Sequence, residues 1–280
     1  MFAASNRIAE QDPSCTSFHD RMGRYIAGRA GAICERNRPR FSLLQSTLRD
    51  SDAGGADFGA RGPAPDMEQR YSRIATAAHR KQFGQFFTPE TVAALMADWI
   101  TSAKPERILD PACGTGVLCR AVAKLAPTTP IDAFELDAQI ADHCDLPSTT
   151  VLHKEDFLSA QLASRYGGII MNPPYIRHRE IEGYEEARHK ISIRAQCVIP
   201  RTANLYIYFA LKACTALADN GRAAILIPGE WLNANFSATF KAYLLENKLL
   251  KEIVVFSSCS NVFDDALTTA SVLLIERPAR

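Results

Sequence analysis

The stretch ILDPACGTGVL, residues 108–118, changes character three times within eleven positions. Ile108 and Leu109 form an apolar run that closes on Asp110, which predicts a short buried strand stopping there. Pro111, Gly114 and Gly116 punctuate a turn, and apolar periodicity resumes at Val117 as a helix. The two glycines let the backbone approach a ligand closely, and the helix N-terminus beyond them presents free N–H groups. A plain strand-to-helix turn and a loop for a small ligand both fit this pattern. A nucleotide-phosphate loop fits less well, because no G-K-[ST] follows and the spacing is not G-x-G-x-x-G.

The same alternation continues outward. Short apolar runs bounded by turn residues are RILD (107–110), IDAFEL (131–136), TTVLH (149–153), GGIIM (167–171), AAILIP (223–228), EIVVF (252–256) and SVLLIE (271–276). Helical patterns separate most of them: GVLCRAVAKLA (116–126), NLYIYFALKACTALA (204–218) and SATFKAYLLEN (237–247). Ahead of them, YSRIATAAHRKQF (71–83) also reads as a helix. Pro89 opens another, with Val92, Leu95, Met96, Trp99 and Ile100 at helical spacing. Strands alternating with helices predict an α/β fold, a doubly wound seven-stranded sheet of Rossmann-like type. The close-set final pair of runs predicts a mainly parallel sheet carrying one antiparallel strand.

Residues 1–66 differ in character. RDSDAGGADFGARGPAPD (49–66) is rich in Gly, Ala, Pro and Asp without sustained periodicity. Residues 1–66 are therefore expected to be a disordered or weakly structured extension, with at most a short helix near 20–35, and 67–280 the folded domain. Hydrophobic residues make up 47% and charged residues 22%, the balance of a globular domain with a sizeable core. No apolar run approaches a membrane span, and the N-terminus lacks the basic start and apolar core of a secretory signal, so a cytoplasmic protein without membrane contact is expected. The eight cysteines form no C-x-x-C pair and no zinc-like cluster with histidine, which predicts reduced thiols and no metal site. A net charge of +1 excludes binding to nucleic acid by overall charge alone.

Candidate site residues fall at successive strand ends, which in a doubly wound sheet line one crevice. Glu135, in FELD (134–137), lies about twenty residues past the glycines, where a carboxylate can accept from the hydroxyls of a ribose. Asp156 and Phe157, in HKEDFL (153–158), could accept from an adenine amino group and cover its ring. The fourth strand ends in Asn172-Pro173-Pro174-Tyr175. An amide oxygen and the Pro173 carbonyl, set side by side by a stiff turn, can accept both hydrogens of an exocyclic amine. Tyr175 can stack on a base drawn out of a duplex. The competing reading is a rigid turn whose tyrosine packs on the core.

Taken in order, GQFFTP (84–89), DPACGTG (110–116), FELD, EDF (155–157), NPPY (172–175), NLYIYF (204–209) and GRAAILIPGEWL (221–232) resemble the amino-group DNA methyltransferases. With Phe-Thr-Pro ahead of the glycine loop, the order is similar to the gamma class, the TaqI-like adenine-N6 enzymes of restriction-modification systems. The resemblance covers roughly residues 70–277. It implies a class I methyltransferase fold, S-adenosylmethionine as cofactor and DNA as substrate. Phe87, Thr88 and Pro89 would hold the methionine end of the cofactor. Asp110 and the turn through Ala112, Gly114 and Gly116 would contact its amino acid portion. Glu135 would take the ribose, and Asp156 with Phe157 the adenine. Asn172 and Pro173, in the Pro174-stiffened turn, would activate the target amine. Tyr175, and Phe263 in NVFDD, would stack on the target base.

Two features depart from that family. Its target-recognition domain follows the last core strand, whereas this chain stops at SVLLIERPAR. Recognition is then expected from a separate subunit, or the chain is a fragment, or the mixed-charge loop 176–203 binds DNA loosely. The other is the unassigned segment 1–66. Methylation of a protein glutamine, which also uses Asn-Pro-Pro-Tyr, methylation of RNA, and an inactive core subunit are the alternative functions.

Overall fold

The computed structural model describes residues 88–162, 165–181, 183–256 and 270–279, all within one unit, Ala64–Arg280. The expected extension 1–66, the helix 71–83, Phe87 and Phe263 lie outside the described residues.

Seven strands form one sheet: β1 (Ile108–Asp110), β2 (Ile131–Phe134), β3 (Thr150–His153), β4 (Tyr166–Met171), β5 (Leu217–Pro228), β6 (Leu250–Phe256) and β7 (Ala270–Glu276). Their order is β3-β2-β1-β4-β5-β7-β6. The pairs from β3 through β5 are parallel, and β7 runs antiparallel to both of its neighbours. All seven apolar runs are thus strands, and the one antiparallel strand is the last of them. The expected bounds match to within two residues for six of the seven runs; the exception is β5. That strand begins at Leu217, directly after a helix, and reaches its apolar stretch through Asn220 at φ 59.

Among the described residues, six α-helices accompany the sheet: α1 (Glu90–Thr101), α2 (Val117–Leu125), α3 (Ala138–Ala141), α4 (Glu185–Ala195), α5 (Leu205–Ala216) and α6 (Ala238–Glu246). The period-two alternation of the strands assigns the helices to faces. Ile169 and Met171 of β4, with Ile225 and Ile227 of β5, share one core cluster with Ile191, Phe209 and Phe240 of α4, α5 and α6. Ile170 of β4 and Leu226 of β5 point the other way, into a cluster with Met96 and Ile100 of α1 and Leu118 and Val122 of α2. Helices therefore cover both faces, as doubly wound connections require. Strand order reverses between β1 and β4, which opens a crevice at the carboxyl ends of the strands there.

Two features went unread in the sequence. Arg107, just before β1, donates to both Asp132 oxygens at 2.7 and 2.8 Å, and the Tyr166 hydroxyl donates to Asp132 at 2.8 Å. This clamp ties β1, β2 and β4 together near their amino ends. The other feature is α4, which lies within the segment expected to be a loop. Its buried positions are Ala187, Ile191 and Ala195, a narrow and mostly small-residue stripe among charges. Among the described residues, no helix is long and apolar enough to cross a membrane.

Candidate active site

The carboxyl ends of β1, β2 and β4 and the segment after β3 open on one cavity. Its walls include Thr88, Ala112, Gly114, Glu135, Asp156, Phe157, Asn172 and Pro174, so the structure brings together eight of the residues singled out in the sequence. Pro89, Asp110, Gly116, Pro173 and Tyr175 are not among the lining residues.

The glycine turn depends on left-handed backbone. Gly114 has φ +53 and Gly116 φ +88. A Cβ on Gly116 would lie 2.6 Å from the Asp145 carbonyl oxygen, so a side chain there demands a backbone shift; at Gly114 only the dihedral is at stake. Arg120 braces the turn from outside, donating to the carbonyls of Thr115 at 2.7 Å and Asp145 at 2.9 Å. Gly116 then leads directly into α2.

Asp110 ends β1 fully buried. It accepts from the Ala112 N–H at 3.3 Å and from the Cys119 thiol at 3.4 Å. Burial pushes its carboxyl up to about 7, with those two donors pulling the other way. Glu135 accepts from the Gly114 N–H at 2.9 Å and the Asp137 N–H at 2.9 Å, which ties the end of β2 to the glycine turn. Burial raises this carboxyl as well, against the same N–H groups. Each Glu135 oxygen has a further lone pair, so this side chain, which lines the cavity, retains acceptor capacity for a ligand.

Asp156 is held by its own turn, accepting from the Leu158 N–H at 2.9 Å and the Ser159 hydroxyl at 2.7 Å. Phe157 is buried, its ring edge-on to Phe134 at 5.5 Å and tilted against Phe209 at 5.4 Å. The result is an apolar slot with one carboxylate at its rim, suited to a heteroaromatic ring that carries an amino group.

At the end of β4, the Asn172 amide donates through Nδ2 to the Thr88 hydroxyl oxygen at 3.0 Å. Two candidate residues far apart in sequence thus meet, and the amide oxygen is turned away from Thr88. Pro173 is buried and Pro174 half-buried. Tyr175 is half-buried, with its hydroxyl donating to the Leu226 carbonyl at 3.4 Å and its ring edge-on to Tyr206 at 6.2 Å. Burial raises its phenol. In this arrangement the tyrosine packs on the core, the simpler of the two expectations for it.

The chain beyond the turn is held by polar bonds. Asn204 accepts from the His178 N–H at 3.2 Å and donates to Glu230 at 3.1 Å, while the Leu205 N–H donates to the Ile176 carbonyl at 2.9 Å. Lining residues missed in the sequence are Ile140, Tyr184, Leu205 and Phe209. Leu205 and Phe209 belong to NLYIYF, a recognisable motif without an assigned role; Tyr184 carried no signal. The charges of 176–203 are partly neutralised within α4, where Arg188 meets Glu185 and Lys190 meets Glu186, each at 2.6 Å.

The cavity can be tested against S-adenosylmethionine, whose parts require an acceptor for an ammonium, acceptors for ribose hydroxyls and a slot for adenine. Glu135, Asp156 and Phe157 line the cavity and fit the last two of these requirements, whereas Asp110 is fully buried and is not among the lining residues. Among the described residues, no group of three or more His, Cys, Asp or Glu is gathered to hold a metal.

The sequence and the fold resemble those of known methyltransferases. The family described as Eco57I restriction-modification methylase matches residues 124–263, and that described as N-6 DNA Methylase matches residues 68–135. The Type II methyltransferase M.AccI of Acinetobacter calcoaceticus is 37% identical over 214 residues, covering 74% of this chain and 39% of that relative. A tRNA1(Val) (adenine(37)-N6)-methyltransferase of Vibrio cholerae is 33% identical over 148 residues, 49% of this chain and 57% of that protein. Among solved structures, a chain described as a class I S-adenosylmethionine-dependent methyltransferase from Listeria monocytogenes superposes with a TM-score of 0.57 at 15% identity, covering 76% of this chain and 65% of that one. The chain spans about two fifths of the length of M.AccI. Because the first of these families matches half of its residues, the chain belongs to the Eco57I restriction-modification methylases.

Proposed function

We propose that this chain uses S-adenosylmethionine to methylate the N6 amino group of adenine in DNA, as the catalytic core of a site-specific modification enzyme. The observation that carries the proposal is the Asn172–Thr88 hydrogen bond at the strand switch point. It orients the amide with its NH2 group toward Thr88, so the oxygen is the end that would accept from a target amine. An adenine amine is a poor nucleophile because its lone pair is delocalised into the ring. Accepting its two hydrogens on the Asn172 oxygen and the Pro173 carbonyl would localise that pair. When bound, the cofactor supplies the electrophilic methyl group on its sulfonium. Asp110, Glu135, Asp156, Phe157 and the Ala112–Gly116 turn would hold it, with Phe87, Thr88 and Pro89 at its methionine end. Tyr175 would stack on the target base after turning out of its present contacts, joined by Phe263.

Residues 67–280 are read as the catalytic domain, and sequence recognition as the work of a region or separate subunit beyond it. A second reading, adenine-N6 methylation in RNA, is favoured by the likeness to the tRNA enzyme. One experiment separates them. Purified chain is given radiolabelled S-adenosylmethionine with unmethylated genomic DNA, total RNA and a protein pool, beside a cofactor titration. Label in DNA as N6-methyladenine supports the proposal; label confined to RNA or protein refutes it. Cofactor binding without transfer assigns recognition to a missing partner, to be tested by mixing.

A further inference from the structure

Lys212 lies in the middle of α5 and is half-buried. Its ammonium donates to three backbone carbonyls: Phe157 at 2.5 Å, Leu158 at 3.0 Å and Ala160 at 2.6 Å. An ammonium has three N–H groups, and all three are committed here. The acceptors belong to one turn after β3, in which the N–H groups of Ser159 and Ala160 bond back to the Asp156 carbonyl at 3.1 and 3.0 Å. Such a turn leaves carbonyls bunched at its far side, like the end of a helix, and a cation is the complement they require. Lys212 also lies 4.8 Å from the centre of the Phe157 ring. The three carbonyl bonds fix the turn whose opposite side presents Asp156 and Phe157 to the cavity.

The same helix holds other walls. Phe209, one turn before Lys212, packs on Phe157, and the Leu205 N–H at the start of α5 bonds to Ile176 beyond the Asn-Pro-Pro-Tyr turn. α5 is therefore a bracket between the adenine slot and the segment after the amine-binding turn.

We propose that Lys212 is a positioning residue that sets the cofactor-adenine slot, holding Asp156 where it can distinguish an amino group from a keto group on the ligand's base. This rests on the cofactor reading given above. The groups that act on Lys212 electrostatically are Asp156 and Glu155, which favour its charge, and Arg194 and Lys190, which oppose it. Burial lowers its pKa to about 8 despite the carbonyls. Loss of the proton removes one of the three N–H bonds.

The test compares two probes that differ only at the base, S-adenosylhomocysteine and S-inosylhomocysteine, titrated calorimetrically into the full chain. Wild type should prefer the adenosyl ligand by ~10-fold or more, the range set by a lost charged hydrogen bond. K212M should lose most of that preference and K212R should restore it, whereas a generally loosened fold would weaken both ligands alike. A wild-type titration across pH 7–9.5 provides a second measure if K212M does not fold. The preference should fall above about pH 8 in wild type and more than in K212R, the ligands' own titration being common to both. Undiminished preference in folded K212M, or identical pH profiles in wild type and K212R, overturns the inference. Wild type that binds neither ligand refutes the cofactor reading itself, and this inference with it.

Discussion

The two ends of the sheet treat a buried carboxylate in opposite ways. Near the amino ends of the strands, Asp132 receives the fork of Arg107 and the hydroxyl of Tyr166, and its pKa is lowered by those partners against the cost of burial. At the carboxyl ends, Asp110 and Glu135 receive only N–H groups and a thiol, and burial raises both. A guanidinium satisfies a carboxylate completely, so Asp132 has finished its work when the chain is folded. A carboxylate held by weaker donors remains able to attract a cation or a hydroxyl, which is the role proposed above for Asp110 and Glu135.

The largest contrast should come from Asn172→Ala and Asp132→Ala. In any form of the enzyme that transfers methyl groups, Asn172→Ala should reduce turnover by ~100-fold or more, as removal of a transition-state hydrogen-bonding group does, with cofactor affinity nearly intact. Asp132→Ala should cost about 2–3 kcal/mol in denaturant melts, the scale of charge-assisted hydrogen bonds, with unchanged cofactor affinity in the folded fraction. Full turnover in Asn172→Ala would remove the amine-activation role.

Asp110→Asn sharpens the comparison further. Cofactor affinity should fall by ~10-fold, about one charge-assisted bond, while the unligated protein melts no earlier, because a buried charge without a cation is relieved. An early melt with normal affinity would make Asp110 a structural residue like Asp132.

The two ends should also respond oppositely to pH. The native Asp110 pKa of about 7 lies above the unfolded carboxylate value, so between them the native state holds a proton that the unfolded chain has released. Its contribution to unligated stability is therefore fullest at low pH and is lost as pH rises toward 7. Affinity for the cationic cofactor should rise over pH 6–7.5 as Asp110 ionises, a slope that Asp110→Asn flattens in calorimetry. Asp132 behaves in the reverse sense: its contribution is present above the unfolded carboxylate value and lost as pH falls through its depressed one. Cys119→Ala is the smallest change expected. It removes one weak donor from Asp110 and should weaken cofactor binding by no more than about twofold.

The sheet was legible because every strand is an apolar run closed by turn residues, a local signal. The positions of Asp110, Glu135, Asp156 and Asn172 were legible because each follows such a run, and strand ends in this topology converge. Three things were not. α4 has too narrow an apolar stripe, built on Ala187, Ile191 and Ala195, to stand out from its charges. The Arg107–Asp132–Tyr166 clamp joins residues 25 and 34 positions apart, with no periodicity to announce it. Tyr175 resisted in another way: its sequence context points to a base, whereas here its ring faces Tyr206 and its hydroxyl meets Leu226.

The placement of β7 has a consequence for how the chain is made. This strand is synthesised after β6 yet lies between β5 and β6, pairing with Arg222–Pro228 of the first and Leu250–Phe256 of the second. Until the ribosome has released residues through 276, β5 and β6 are two apolar strands with unpaired edges and no means of pairing with each other in the native order. The nascent protein must carry the β5 edge from residue 228, and the β6 edge from residue 256, until β7 has been made, a window for misassembly and for chaperone capture. Insertion of one late strand then closes both at once.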